Sequence, residues 1–91
     1  MIQRMRLADI LWVEGFGEYI KLVGRFKNFT LLQRMTEFAE QYAYLGFIEI
    51  HKSYLVLVQD IESYSSSTVK LKLGHELPIG RVYKQNVQLG G

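Results

Sequence analysis

The sequence predicts a mainly β domain with one helix, and three observations carry that reading. Short runs rich in β-branched and aromatic residues recur along most of the chain. One segment switches to the 3.6-residue apolar spacing of an amphipathic helix. The size and composition fit a single small core: 91 residues, 48% hydrophobic and 22% charged, with one proline. A chain of that length buries only about 60% of its unfolded surface, so one domain over residues 1–91 is expected.

The elements follow in order. Asp9-Ile-Leu-Trp-Val-Glu14 is a buried-looking strand, interrupted by Gly15-Phe16-Gly17, and Glu18 to Val23 resumes as a second strand. After a turn at Gly24-Arg25, a third short strand is expected over Phe26 to Phe29. Leu31, Leu32, Met35, Phe38, Ala39, Tyr42 and Leu45 then recur at helical spacing, which predicts one helix over about residues 30–45. Thr30 is the expected N-cap, Gln33 completes a capping box, and Gly46 is the expected stop. Phe47 to His51 and Tyr54 to Val58 return to strand composition. Polar residues 63–67 read as a turn. Val69, Leu71 and Leu73 alternate with Lys70 and Lys72, a half-buried strand with one wet face. Gly74-His75-Glu76 turns into Leu77-Pro-Ile79, where Pro78 marks an edge because it has no N–H for a ladder.

Composition narrows the chemistry. There is no cysteine, which removes disulfides, thiolate metal sites and cysteine nucleophiles. The two histidines, His51 and His75, lack the spacing of a metal pair, so neither a metal nor a cofactor is expected. The longest apolar run, Tyr54 to Val58, is far short of the ~18 residues of a membrane helix. A cytoplasmic chain with no membrane partner is therefore expected. A net charge of +2 and a pI near 9.0 permit nucleic-acid binding without demanding it.

Catalytic motifs are weak. His51 and Ser53 are two apart and would share a strand face, with Asp9 or Asp60 as a third member on paper. No nucleophile elbow accompanies them. Glu14, Glu18 and Glu49 read as solvated charges before they read as an acid–base pair. Gly15-Phe16-Gly17 lacks the third glycine and the helix of a phosphate cradle. It also departs from an RNA-recognition octamer, with Glu14 at the basic position and Glu18 at a stacking position. An enzyme is not expected. The basic residues beside turns are more informative, because side chains there can reach a groove.

The order of motifs resembles the LytTR DNA-binding family. The pieces are Asp9-Ile-Leu-Trp-Val-Glu14, Gly17-Glu-Tyr-Ile-Lys21, the Thr30-Leu31 helix start, Phe47-Ile-Glu-Ile-His-Lys-Ser-Tyr-Leu-Val56 and Leu77-Pro-Ile-Gly-Arg81. His51-Lys-Ser-Tyr-Leu-Val56 is the most specific of them, and the resemblance spans roughly residues 7 to 87. It implies an elongated arrangement of short antiparallel strands whose loops enter successive major grooves of double-stranded DNA. It also implies an output module behind a receiver domain in a bacterial two-component response regulator, acting in transcriptional regulation. Carried over by motif, the base-facing candidates are Tyr19, Lys52 after the family histidine His51, and Arg81, with Lys21 and Lys84 as phosphate contacts. Arg suits bidentate pairing with guanine, and Lys supplies charge to phosphate or to a purine acceptor.

Three positions depart from the family pattern. Glu49 stands where a basic residue is common, Leu57 where asparagine is frequent, and Gly80 where serine precedes the arginine. They bear on affinity and target sequence. Glu49 also supports an alternative, a protein-interaction domain of the same fold that has lost DNA affinity. A further alternative is a single-strand binder stacking bases on Trp12, Phe16 and Tyr19. The resemblance implies a strand before the Arg-Leu-Ala-Asp-Ile10 segment, and with only Met1 to Arg6 at that place a domain trimmed at its N-terminus is expected, with no room for a receiver. A missing opening strand would leave an unpaired edge beside Asp9 to Glu14, so self-association is expected.

Overall fold

The computed structural model describes residue 2 and residues 4–90. Eight strands form two antiparallel sheets: β1 (Ile10–Phe16), β2 (Tyr19–Gly24), β3 (Asn28–Leu32), β4 (Phe47–His51), β5 (Tyr54–Leu57), β6 (Ile61–Tyr64), β7 (Thr68–Leu71) and β8 (Glu76–Pro78). The five-stranded sheet has the order β3-β2-β1-β5-β4, and the three-stranded sheet the order β6-β7-β8. Two short helices complete the chain, α1 (Met35–Tyr42) and α2 (Lys84–Gly90). The extents of 33 × 25 × 21 Å match the expected elongated, mainly β arrangement. Among the described residues, no helix is long and apolar enough to cross a membrane.

The five-stranded sheet is covered by α1 on one face and, over its β1, β5 and β4 part, by a second core on the other. On one face Val13, Ile20, Leu22, Leu55 and Leu57 pack against Met35 and Phe38 of α1. On the other, Ile50 and Val56 pack against Val69, Leu71 and Leu77 of the small sheet and Val87 of α2. Alternation along β5 sends Leu55 and Leu57 to the first core and Tyr54 and Val56 to the second, whereas in β3 the alternate residues face solvent. A register shift between Ile10 and Trp12 breaks such alternation in β1. It puts Ile10 and Val13 in the α1 core and leaves Trp12 against the second core.

Several expectations are corrected. Thr30 is not an N-cap: it lies in β3 opposite Lys21, and the cap position is Arg34, which makes no side-chain capping bond. Phe29 and Leu31 pack on the core while Asn28, Thr30 and Leu32 are exposed, a period of two that belongs to a strand. The helix therefore starts at Met35, and Ala43–Leu45 continue it as a 3-10 turn before Gly46 (φ +103°). The single helix becomes two, because α2 was not expected. Ser63 and Tyr64 pair with Lys70 and Val69, so the turn is confined to residues 65–67. Leu73 lies beyond β7 and is 57% exposed. Pro78 does lie in an edge strand, β8.

The edge expected beside Asp9 to Glu14 is also absent: β1 is the central strand, paired with β2 and, at Val13 and Glu14, with β5. The stated reason for self-association therefore falls away. The short N-terminus invoked for it includes Met1 and Gln3, which lie outside the described residues. Ile2 and Met5 bridge each other and are buried in the α1 core.

Asp60 sits half-buried in a 3-10 turn (Val58–Asp60) at the junction of the two sheets. Burial raises its carboxyl above the usual range, with the Lys72 ammonium acting in the opposite direction. A raised folded-state pKa favours folding below the ordinary carboxylate range, and that contribution is lost as pH rises through the folded value. Asp60→Asn is therefore expected to raise Tm at neutral pH and to leave Tm at pH 3 nearly unchanged, so that the gain grows as pH rises through the carboxylate range. Thermal melts of both proteins from pH 3 to 7 check this; a lower Tm for the variant at pH 7 would contradict it.

Candidate functional site

Three chain segments meet at one end of the five-stranded sheet. The first is the β1–β2 hairpin, which turns at Gly17 and Glu18 between the paired residues Phe16 and Tyr19. Gly17 has φ +61°, which a two-residue hairpin requires at its first position and glycine adopts without strain. The second is the turn at Lys52 and Ser53 between β4 and β5. Because β1 and β5 are neighbours, the Gly15 N–H donates to the Ser53 carbonyl at 2.9 Å and ties the two turns together. The third begins at Gly80, whose N–H donates to the Ile50 carbonyl at 2.8 Å. Asn86 of α2 donates from Nδ2 to the Glu49 carbonyl at 2.9 Å. These two bonds occupy acceptors on the outer edge of β4 and hold residues 80–86 beside it.

This framework brings Tyr19, His51, Lys52 and Arg81 to one end, with Lys84 one turn further on. Tyr19 is 49% exposed, and Lys52, Arg81 and Lys84 are exposed. A register shift between Glu49 and His51 decides where the histidine points. Glu49 pairs with Leu55, which faces the α1 core, whereas His51 pairs with Tyr54 on the opposite face. The bulge thus separates two residues that regular alternation would put on one face. The Ser53 N–H donates to His51 Nδ1 at 3.0 Å, so the neutral ring carries its proton on Nε2. Its ring lies 5.3 Å from that of Tyr54.

The catalytic combination weighed above does not assemble. Ser53 meets His51 through its backbone, and Asp60 lines a different cleft with Arg25 and Ala8. Lys21 is engaged: its Nζ lies 3.6 Å from Glu14 Oε2 and 5.7 Å from the centre of the Phe16 ring. Glu14 also accepts from Trp12 Nε1 at 2.9 Å. Trp12 packs its ring 5.0 Å from that of His75, against the second core and away from the three turns. It is therefore no stacking platform shared with Tyr19.

An open groove of about 450 Å³ runs across this end. Glu18, Arg34, Glu49, Lys52 and Tyr83 line it, together with the start of α1 at Met35 and Thr36. Two carboxylates and two cations thus face the same space, a mixed wall rather than a uniformly basic one. Arg34 and Tyr83 were missed by sequence reasoning. Arg34 reads as one more charge on a helix face, and only the late start of α1 puts it beside the hairpin. Tyr83 also explains a departure from the family pattern. A Cβ on Gly80 would lie 2.8 Å from Tyr83 Cδ2 and 3.5 Å from His51 Cα, so the tyrosine ring occupies the space a side chain at residue 80 needs.

Comparison with known proteins supplies the family context. A family profile described as the LytTr DNA-binding domain matches residues 2–89. Among solved structures, the chain is similar to the LytTr DNA-binding domain of a protein described as a methyl-accepting/DNA response regulator from Bacillus cereus. That likeness has a TM-score of 0.79 at 18% identity and covers 94% of this chain and 84% of the other. A search of curated proteins finds no significant match.

Proposed function

This chain belongs to the LytTr DNA-binding domain family, and from that membership we propose that it binds double-stranded DNA sequence-specifically as the output module of a transcriptional response regulator. The family is one of DNA-binding domains, and no enzymatic role is assigned to the chain. The observation that carries the reading is the convergence of three turns held by the Gly15–Ser53 and Gly80–Ile50 hydrogen bonds. Side chains on separate turns held at one end of a rigid sheet can enter a groove together.

In this reading Tyr19, Lys52 and Arg81 face base edges, His51 orients the second turn, and Lys84 contacts phosphate. Lys21 contributes less to the backbone than Lys84, because Glu14 already holds its ammonium group. The regulatory partner is a receiver domain elsewhere in the parent chain, and the compartment is the cytoplasm. Glu18 and Glu49 in the groove favour a second reading, a protein-interaction domain of the same fold, since carboxylates near a duplex repel its phosphates.

Selection from random duplexes followed by titration separates the two. Arg81→Ala is expected to lower specific affinity by about 1–3 kcal/mol and to flatten the preference at one base position. Lys84→Ala should weaken all duplexes alike and reduce the salt slope by about one unit. Glu49→Arg should strengthen binding. If the wild type selects no site, or Arg81→Ala leaves selectivity intact, the interaction-domain reading replaces this one.

A further inference from the structure

Away from the three turns, at the other end of β1, the two sheets diverge around a cleft of about 200 Å³. Its floor is apolar, formed by Ile10 and Leu11 of β1 and Leu71 of β7. Arg25, from the turn between β2 and β3, and Lys72, from the turn after β7, also line it. Among the described residues, neither makes an ion pair within 4.0 Å; the pairs present involve Arg6, Lys21 and Lys70. The walls are fixed by backbone bonds, Arg25 N–H to Asp9 at 2.8 Å, Lys72 N–H to Asp60 at 2.9 Å and Leu71 N–H to His75 at 2.8 Å.

We propose that this cleft is a binding site for a small amphipathic carboxylate, its apolar body against Ile10, Leu11 and Leu71 and its anionic head between Arg25 and Lys72. Size supports one ring plus a head group, since a dry cavity of about 150 Å³ accommodates benzene. Charge supports an anion, because two cations line the cleft with one carboxylate, Asp60. Convergent polar groups over an apolar floor are the usual make-up of a small-molecule site. The inference is independent of the duplex reading, as none of these residues lies at the three turns.

Benzoate is the probe, with benzamide as its neutral counterpart, benzylamine as a cation and sulfate as an anion without an apolar body. Titrated into the whole chain and followed by amide NMR, benzoate is expected to move the signals of Ile10, Leu11 and residues 71–73 saturably. At tenfold above its Kd it should raise Tm by roughly 5–10 °C. Arg25→Gln, at an exposed position, should weaken benzoate about five- to tenfold while melting like the wild type without ligand. Lys72→Gln serves the same purpose should the first variant fold poorly. Equal shifts with benzamide or benzylamine would overturn the anion assignment. The same shifts with sulfate would reduce it to a general charge effect. No movement at these residues at tens of millimolar benzoate would leave the cleft a water-filled gap and sink the proposal.

Discussion

Phe38→Ala is expected to destabilise the domain by about 3–5 kcal/mol, the range for removing a buried phenylalanine from a packed core. Phe38 is fully buried and lies 4.7 Å from the Tyr42 ring and 5.5 Å, edge-on, from Phe47. Those contacts join α1 to the five-stranded sheet, so the cavity cannot close without moving the helix. Domains of this size have total stabilities of only about 5–15 kcal/mol, so the variant should sit close to the folding threshold. Urea titration measures the change directly, and Tm should fall by at least about 12 °C. A loss below about 1 kcal/mol would mean that α1 packs elsewhere.

The second large effect is on duplex binding. Arg34, Lys52, Arg81 and Lys84 are the exposed cations at the three-turn end. If three or four of them neutralise phosphates, log K should fall with log salt at a slope of about −2.7 to −3.6. Raising monovalent salt from 50 to 200 mM should then weaken binding roughly 40- to 150-fold. Titrations at four salt concentrations give the slope. A value near zero would mean that phosphate neutralisation plays no part. A slope steeper than about −6 would implicate the opposite end as well, where Arg4, Arg6, Arg25 and Lys27 gather near the N-terminus and the β2–β3 turn.

The class of the fold was legible because its signals are local. β-branched and aromatic composition marked most of the strands, and the proline marked an edge through its missing N–H. The errors fall where two local patterns overlap. Leu31 fits a helical stripe that continues to Met35 and Phe38, and it equally fits a strand that starts at Asn28. Pairing of residues 28–32 with β2 decided between them, since ladder hydrogen bonds and burial of Phe29 and Leu31 are gained only when β2 is alongside. The helix α2 escaped notice for a related reason. Among its described side chains Val87 is the fully buried anchor, and two apolar residues two apart, Val87 and Leu89, in a polar stretch carry no helical periodicity to read.

The candidate site divides in the same way. From residue types alone, Tyr19, His51, Lys52, Arg81 and Lys84 could be picked out as candidates beside turns, and the order of motifs around them marks the family. Tertiary contacts decided which of them lie at the same end of the molecule. Pairing of β1 with β5 ties the first two turns, and the Gly80–Ile50 bond adds the third from a segment thirty residues further along. Tertiary contacts also engaged Lys21 with Glu14, turned His51 away from Glu49 through a one-residue shift in register, and set Arg34 and Tyr83 into the groove. Residue type and local propensity act over a few positions of the chain, whereas register, bulges and side-chain pairing depend on which strand lies next to which. That choice is made by burying one face of the central sheet under α1 and the β1, β5 and β4 part of the other under the small sheet and α2.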